Sequence, residues 1–246
     1  MLNINEIYNE DCMETMKNIE DNSIDLVLTD CPYKIISGGC TKRSFKGETS
    51  GVLTHRHTEK RTDWVSDVRS GKMFKHNEIL FSEWLPECYR LLKNSAHCYI
   101  MVNNRNLSDL QNNAEKSGFI FQNLLIWDKG NVTPNRWYMQ GYECILMLRK
   151  GRAKNINSLG SSNIIRIPNI KGNKTHPTEK PVSLMRFLIE NSTKTNEIVL
   201  DPFLGSGATV IACKESGRQY VGIEKDEKYF RVALERISQY KSEEQL

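Results

Sequence analysis

Short apolar runs alternate with helical patterns along most of the chain, and this alternation constrains the fold more than any other feature. Seven segments have the composition of strands: residues 6–11, 24–28, 98–102, 119–127, 142–148, 198–200 and 220–223. Six others have helical spacing: residues 12–19, 79–92, 107–116, 181–191, 208–216 and 227–240. This alternation predicts an α/β fold with a mostly parallel seven-stranded sheet and helices on both faces. A loop joins 119–127 to 142–148, so one antiparallel strand is expected there.

Length and composition are typical of one globular domain over residues 1–246, with 39% hydrophobic and 26% charged residues. The sequence has no apolar run of membrane-spanning length and does not begin with a secretory pattern, so no membrane association is expected. Its seven cysteines are scattered without a C-x-x-C pair, which favours reduced thiols in a cytoplasm. Cys40, His55 and His57 match no common zinc spacing, so no metal is expected.

Two segments without periodicity, 34–76 and 150–175, carry most of the positive charge. Residues 42–75 contain nine Lys/Arg against four Asp/Glu, and residues 150–175 contain six Lys/Arg and no acid. The whole chain has a net charge of only +4, so the rest of it is acidic. Two basic loops on an acidic body favour a polyanionic partner, although solvated surface loops would have the same composition.

The first candidate site follows the apolar run at 24–28. Thr29, Asp30, Cys31, Pro32 and Tyr33 come directly after it, and a proline cannot continue a central strand. A carboxylate, exposed carbonyls and an aromatic ring are therefore expected at the carboxyl end of a strand. In open α/β sheets, ligands bind at that edge.

The second candidate site is a strand, a glycine-rich turn, a helix and another strand that ends in an acid. Residues 201–207 read D-P-F-L-G-S-G, and Glu224 follows the strand at 220–223. Glycines at such a turn let the backbone approach a ligand, and a terminal acid can accept ribose hydroxyls. The turn lacks the Gly-Lys-Ser/Thr of a phosphate loop, and Val210 replaces the third glycine of a dinucleotide motif. The pattern favours a ligand with a ribose and no phosphates, such as S-adenosylmethionine; a tight turn without a ligand is the alternative.

Together these motifs resemble the DNA amino-methyltransferases, which modify the exocyclic nitrogen of adenine or cytosine. Residues 30–33 match the family's D/N/S-P-P-Y/F/W tetrapeptide, and 203–207 match its F-x-G-x-G cofactor motif. Residues 176–181 match an H-P-T-x-K-P segment, and 126–130 are similar to a strand-end turn of that family. The catalytic motif precedes the cofactor motif, an order that resembles the beta group. The resemblance implies a Rossmann-like, S-adenosylmethionine-dependent fold and a site-specific enzyme of the restriction–modification kind in a bacterial or phage-type cytoplasm.

The resemblance also implies roles for individual residues. Asp30 and the carbonyl of Cys31 would accept the two amino hydrogens of a flipped-out base, and Tyr33 would stack on it. Cys31 departs from the family pattern, which usually has proline there. A cytosine-C5 nucleophile would need the order Pro-Cys, and the order here is Cys31-Pro32. The residues expected to bind the cofactor are Asp11, Thr178, Lys180, Asp201, Phe203, Gly205, Ser206, Gly207 and Glu224.

Several alternatives stay open at this point. Asp11 would equally serve as the N-cap of the following helix, and Lys180-Pro181 would equally mark a plain helix start. Double-stranded DNA is the expected partner, with these candidate phosphate contacts: Lys42, Arg43, Arg56, Lys60, Arg61, Arg152, Lys154 and Arg166. Adenine N6 is favoured because the family's adenine enzymes mostly carry Asp at the first catalytic position. N4-cytosine methylation, RNA methylation and a catalytically weak DNA-binding relative remain alternatives, and the resemblance allows a homodimer.

Overall fold

The computed structural model of the chain describes residues 3–32, 79–133, 138–170 and 179–240. The chain divides into two compact units, residues 1–31 with 80–246, and residues 32–79. The strands and helices named below belong to the first unit. Tyr33, Thr178 and the predicted basic loop at 34–76 lie outside the described residues.

The described residues form an eight-stranded sheet. Its strands in chain order are β1 (Glu6–Tyr8), β2 (Ile24–Asp30), β3 (Leu92–Val102), β4 (Ile120–Thr133), β5 (Gln140–Arg149), β6 (Ile164–Arg166), β7 (Ile198–Asp201) and β8 (Gln219–Ile223). They lie side by side in the order β1-β8-β7-β2-β3-β5-β4-β6. β5 runs antiparallel to β3 and β4, and the other neighbouring pairs are parallel. The predicted antiparallel pair is confirmed.

The prediction of seven strands was wrong by one. The additional strand, β6, pairs with β4 and lies inside the segment 150–175 that was predicted to be a loop. Only its central residue, Ile165, is buried. A three-residue strand at the sheet edge is too short to produce a periodic signal in the sequence.

β4 also extends further than predicted. The sequence predicts that this strand ends at residue 127, with a strand-end turn over residues 126–130, but β4 continues to Thr133, with an irregular register between Asp128 and Thr133. Gly130 has a φ of +66°, and its N–H donates to the carboxylate of Asp128 at 3.0 Å. The turn-like residues therefore form an irregularity within a longer hairpin.

Within the described ranges, six helices cover the sheet: α1 (Cys12–Lys17), α2 (Phe81–Leu91), α3 (Leu107–Lys116), α4 (Val182–Ser192), α5 (Ala208–Glu215) and α6 (Glu227–Gln239). α2 contacts α1 and α3, whereas α5 contacts α4 and α6, so the helices form two groups. Residues 24–29 of β2 are all buried, as expected for a strand covered on both faces. None of the described helices is both long and apolar enough to cross a membrane.

Side-chain alternation decides which face of the sheet each residue occupies. Leu26 and Leu28 pack in one hydrophobic cluster with Leu184 and Leu188 of α4. We call this side of the sheet the α4 face. Because side chains alternate along a strand, Asp30 lies on the α4 face too.

Candidate active site

β7 and β2 are neighbours, yet the chain leaves them in opposite directions across the sheet. From β7 it passes through α5 to β8 on one side, and the strand that follows β2 is β3 on the other side. The carboxyl ends of such a pair form a crevice in which α/β proteins bind ligands. β2 ends at Asp30 and β7 ends at Asp201, so the first and second candidate sites lie side by side at one edge of the sheet. We call this edge of the sheet the carboxyl edge.

The glycine-rich turn after β7 adopts a conformation that requires two of its glycines. Gly205 and Gly207 have φ values of +57° and +85°, which favour glycine. A Cβ on Gly207 would come within 3.3 Å of the side chains of Ala233 and Ile237 in α6. A Cβ on Gly205 would meet no described atom within 4 Å. Gly207 therefore permits close helix packing, whereas Gly205 faces open space.

Glu224, directly after β8, binds this turn. Its carboxylate accepts hydrogen bonds from the backbone N–H of Gly205 at 2.8 Å and of Asp226 at 2.8 Å. Burial raises the pKa of Glu224 to about 7. The group is therefore ionised above neutral pH, when it can accept further hydrogen bonds from hydroxyl groups.

Asp201 links the glycine-rich turn to the end of β2 through hydrogen bonds. Its Oδ1 accepts hydrogen bonds from the Thr29 hydroxyl at 2.8 Å and the Phe203 N–H at 3.1 Å, and its Oδ2 accepts one from Thr209 at 2.6 Å. Burial raises its pKa to about 6. Thr29 immediately precedes Asp30, so these bonds fix the turn relative to the end of β2.

Phe203 and Ser206 anchor the turn to neighbouring helices. The ring of Phe203 packs edge-on against Trp84 of α2 with centroids 5.1 Å apart. Arg236 of α6 donates to both the carbonyl and the hydroxyl of Ser206 at 2.7 Å, and it pairs with the buried Glu179 at 2.8 Å. Arg236 thus ties the turn to the segment that precedes α4.

Asp30 is paired with Lys180, which the sequence placed beside the cofactor. The Lys180 Nζ lies 2.6 Å from Asp30 Oδ2 and 3.2 Å from Glu143 Oε2. Burial raises the pKa of Asp30, with Lys180 acting against this effect and Glu143 adding to it. The carboxylate that was expected to receive an amino group is therefore held by an ammonium group.

Glu143 and Lys129 were not predicted as site residues. β5 is antiparallel, so its first residues, including Glu143, reach the same edge at which β2 ends. Lys129 of β4 lies 3.3 Å from Glu143. Burial would raise the pKa of Glu143, but Lys180 and Lys129 together bring it below its usual range. A charged residue at the start of the apolar run at 144–148 was the one available signal in the sequence.

Cys31 is buried and its thiol stays protonated. Its Sγ lies 3.6 Å from the carbonyl of Met101, to which it donates a weak hydrogen bond, and burial raises its pKa well above the usual value. All six cysteines within the described residues are free and buried. The side chain of Cys31 therefore packs in the core.

Asp11 forms the N-cap of α1, the alternative left open above. Its Oδ1 accepts the Met13 N–H at 2.9 Å, and its Oδ2 lies 2.8 Å from Lys225. Burial acts to raise its pKa, but the bonds from Lys225 and Met13 lower it below the usual range. Its expected contact with a cofactor stays a prediction.

Three of the eight predicted DNA-contacting side chains lie in the described residues. Arg166 is exposed at the carboxyl end of β6, 3.8 Å from Asp128. Lys154 donates to the carbonyl of Ser192 at 3.0 Å. Arg152 follows Lys150, whose ammonium bonds to Asn22 ahead of β2. The segment that carries Arg152 and Lys154 therefore starts at the edge of the sheet opposite Asp30. Of the three described side chains, only Arg166 lies at the same edge as Asp30.

The remaining predicted contacts, Lys42, Arg43, Arg56, Lys60 and Arg61, lie outside the described residues, as do Cys40, His55 and His57. Over the ranges that the structure describes, no three His, Cys, Asp or Glu side chains are arranged to hold a metal ion.

Comparison with known proteins decides the family. A family model for N6/N4 methyltransferases, described as DNA methylase, matches residues 24–235. The chain belongs to this DNA methylase family. It is 31% identical to the type II methyltransferase M.HinfI of Haemophilus influenzae over 97% of this chain and 69% of that protein. The family uses S-adenosylmethionine as its methyl donor.

Solved structures of DNA methylases share this fold. The M1.HpyAVI–SAM complex superimposes with a TM-score of 0.66 at 27% identity, over 94% of this chain and 98% of that one. The cytosine-N4-specific PvuII methyltransferase gives a TM-score of 0.68 at 15% identity, over 100% and 90% of the two chains. The expected methyltransferase fold is thereby confirmed, with eight strands instead of seven.

Proposed function

We propose that this DNA methylase transfers a methyl group from S-adenosylmethionine to the exocyclic N6 of a flipped-out adenine at a specific DNA site. The observation that carries the proposal is the position of Asp30. Its carboxylate ends β2 at the crevice beside the glycine-rich turn, and the Thr29–Asp201 hydrogen bond couples the two at 2.8 Å. The acid that we propose binds the base and the turn that we propose binds the nucleoside are therefore adjacent.

The turn fits the cofactor that the family uses. The described atoms leave open space beside Gly205, and Glu224 presents a carboxylate that can accept hydrogen bonds from ribose hydroxyls. Gly205, Gly207, Phe203 and Glu224 would hold the cofactor, which when bound supplies an electrophilic methyl group. The similarity to the M1.HpyAVI–SAM complex supports this assignment.

The chain's own residues would position and polarise the amino group. The lone pair of an exocyclic amine is delocalised into the ring, so the amine is a poor nucleophile. Asp30 would accept one amino hydrogen and the carbonyl of Cys31 the other, which directs the lone pair towards the methyl group. Tyr33 would stack on the base. Most of the acceleration then comes from orientation and electrostatics, without a covalent enzyme intermediate.

The target base must leave the duplex to reach the carboxyl edge. Arg166 lies at this edge, and the sequence of residues 34–76 contains further basic residues. We propose that they hold phosphates, so DNA affinity should fall steeply with salt. A homodimer and a cytoplasmic location also belong to this proposal.

N4-cytosine methylation is the second candidate. The same fold occurs in the cytosine-N4-specific PvuII methyltransferase, so the fold does not distinguish the two bases. Asp30 favours adenine because the family's adenine enzymes mostly carry aspartate at that position.

Nucleoside mass spectrometry tests the proposal. PCR-amplified genomic DNA, which carries no methylation, is incubated with the protein and isotope-labelled S-adenosylmethionine, then digested to nucleosides. We expect labelled N6-methyladenine from the wild type and none from Asp30→Ala. Labelled N4-methylcytosine would establish the second candidate. DNA binding without any methylation would indicate a DNA-binding relative, and equal incorporation by both proteins would remove Asp30 from the mechanism.

A further inference from the structure

Four charged side chains form a continuous series at the carboxyl edge, which we call the charge series: Lys129, Glu143, Lys180 and Asp30. Successive charged atoms lie 3.3, 3.2 and 2.6 Å apart. The two lysine side chains are only 11% and 9% exposed, and the two carboxylates 28% and 22%. Charges removed from water to this extent are costly unless they are paired.

The fold brings these residues together from four separate stretches of chain. Asp30 shares the α4 face with Leu26 and Leu28, and Lys180 lies just before α4 on that face. Glu143 lies two residues before Ile145 in β5, and Lys129 two residues after Trp127 in β4. Ile145 and Trp127 both pack on the α4 face, so alternation brings all four charges to one corner of the sheet.

Lys180 engages one oxygen of Asp30. Its ammonium bonds to Oδ2, and among the described residues the structure shows no hydrogen bond to Oδ1. A carboxylate fixed by one oxygen keeps a single orientation while the other oxygen can receive a donor. This is the arrangement that an amino group entering the crevice needs.

The role of Glu143 would be to offset the positive charge of Lys180 while the reaction places positive charge on the amino nitrogen. During methyl transfer the lone pair of the amino nitrogen would form the N–C bond as the S–C bond breaks, and the electron pair of the S–C bond would stay on the sulfur of the departing S-adenosylhomocysteine. The positive charge would move from sulfur to the nitrogen, which would then lose a proton to Asp30 or to water. A negative Asp30 beside that nitrogen favours the transfer. An uncompensated ammonium 2.6 Å from Asp30 would cancel this effect, and Glu143 offsets the ammonium.

We propose that Lys180 and Glu143 are a positioning pair for the methyl-transfer step: Lys180 orients Asp30 and keeps it ionised, and Glu143 offsets the charge of Lys180. This role rests on the proposed function. It differs from the cofactor contact expected for Lys180 from the sequence, and it assigns a role to Glu143.

Lys180 and Glu143 shift the pKa of Asp30 in opposite directions, so removing each charge should shift the titration of Asp30 in opposite directions. Lys180 lowers the pKa of Asp30, and Glu143 raises it. Lys180→Met should therefore move the titration of Asp30 to higher pH, whereas Glu143→Gln should move it to lower pH. General damage to the fold would not produce opposite shifts.

The titration is measured by NMR on protein labelled with ¹³C at the aspartate carboxyl carbons, without DNA or cofactor, with the Asp30 signal assigned from Asp30→Asn. Lys180→Arg keeps the positive charge and should leave the titration close to that of the wild type. Lys17→Met removes an exposed lysine paired with Glu14 and serves as the matched control. Shifts of the same sign, or no shift, in Lys180→Met and Glu143→Gln would overturn the proposal.

Kinetics connect the titration to the reaction. At pH 7 we expect the single-turnover methylation rate to fall about tenfold or more in both variants, with S-adenosylmethionine affinity within about threefold of the wild type. A loss of cofactor affinity large enough to explain the slower rate of Lys180→Met would return Lys180 to cofactor binding and overturn the proposal. If the two variants show opposite titration shifts but the wild-type protein methylates no DNA, the result would refute the proposed function and leave the pairing of Lys180 and Glu143 with Asp30 intact.

Discussion

The two sides of the crevice, the proposed cofactor side and the proposed base side, are built in different ways. On the cofactor side, Asp201, the glycine-rich turn and Glu224 fall within 24 consecutive residues. On the base side, the charge series joins residues from β2, β4, β5 and the segment before α4. The first depends on backbone conformation over a short stretch, and the second depends on long-range pairing of charges.

This contrast shows which substitutions each side can tolerate. The cofactor side requires glycine at positive φ and a carboxylate that accepts backbone N–H groups. If the proposed role of the charge series is right, the base side requires a balance between two acids and two lysines. A change of shape should therefore damage the first side, and a change of charge should damage the second.

Gly205→Val should produce the largest effect on the cofactor side. A β-branched residue is strained at a φ of +57°, and its side chain would fill the open space beside the turn. We expect S-adenosylmethionine affinity to fall about 100-fold, measured by calorimetry. Gly160→Val is the matched control, because Gly160 also has positive φ and also faces open space among the described atoms. Unchanged affinity in Gly205→Val would mean that the cofactor does not occupy this space.

Glu224→Gln should have a smaller, pH-dependent effect. Burial raises the pKa of Glu224 to about 7, so the wild type carries the ionised carboxylate at pH 8 and mostly the neutral acid at pH 6. We expect wild-type cofactor affinity to rise between pH 6 and 8 and the variant to bind about tenfold more weakly at pH 8. The variant's own affinity should not change between these pH values beyond the cofactor's own titration. The exposed Glu227→Gln serves as control, and an identical pH dependence in both variants would exclude Glu224 from the site.

Thr29→Val tests the connection between the two sides and should have the smallest effect. The substitution removes one hydrogen bond to the buried Asp201 and keeps a similar shape. We expect the free energy of unfolding to fall by about 1–2 kcal/mol in urea titrations. Thr29→Ser, which keeps the hydroxyl, should recover most of this loss. A Thr29→Val protein as stable as the wild type would show that the two sides are not coupled through Asp201.

The same contrast explains what the sequence could predict. The alternating pattern predicted the α/β fold, the antiparallel strand and the helix positions because each depends on local periodicity. It missed β6, which has three residues, and it ended β4 at Trp127 because a turn-like sequence can also form an irregularity inside a strand.

The same distinction between local and long-range features separates the site residues that the sequence predicted from those that it did not. The glycine-rich turn was recognisable because its parts are contiguous. Glu143 and Arg236 were missed because their roles depend on which distant segment packs beside them. Lys180 was recognised as part of a motif, but its pairing with Asp30, 150 positions away, follows only from the sheet order.

The most direct test that Asp30 serves the base side and not the cofactor side compares cofactor affinity with the methyl-transfer rate in Asp30→Asn. This variant keeps the size of the side chain and removes its negative charge. We expect calorimetric affinity for S-adenosylmethionine within about threefold of the wild type and a single-turnover rate on unmethylated DNA that is lower by about 1,000-fold. A variant that lost cofactor affinity in proportion to its rate, or that methylated DNA at the wild-type rate, would contradict the assignment of Asp30 to the base side.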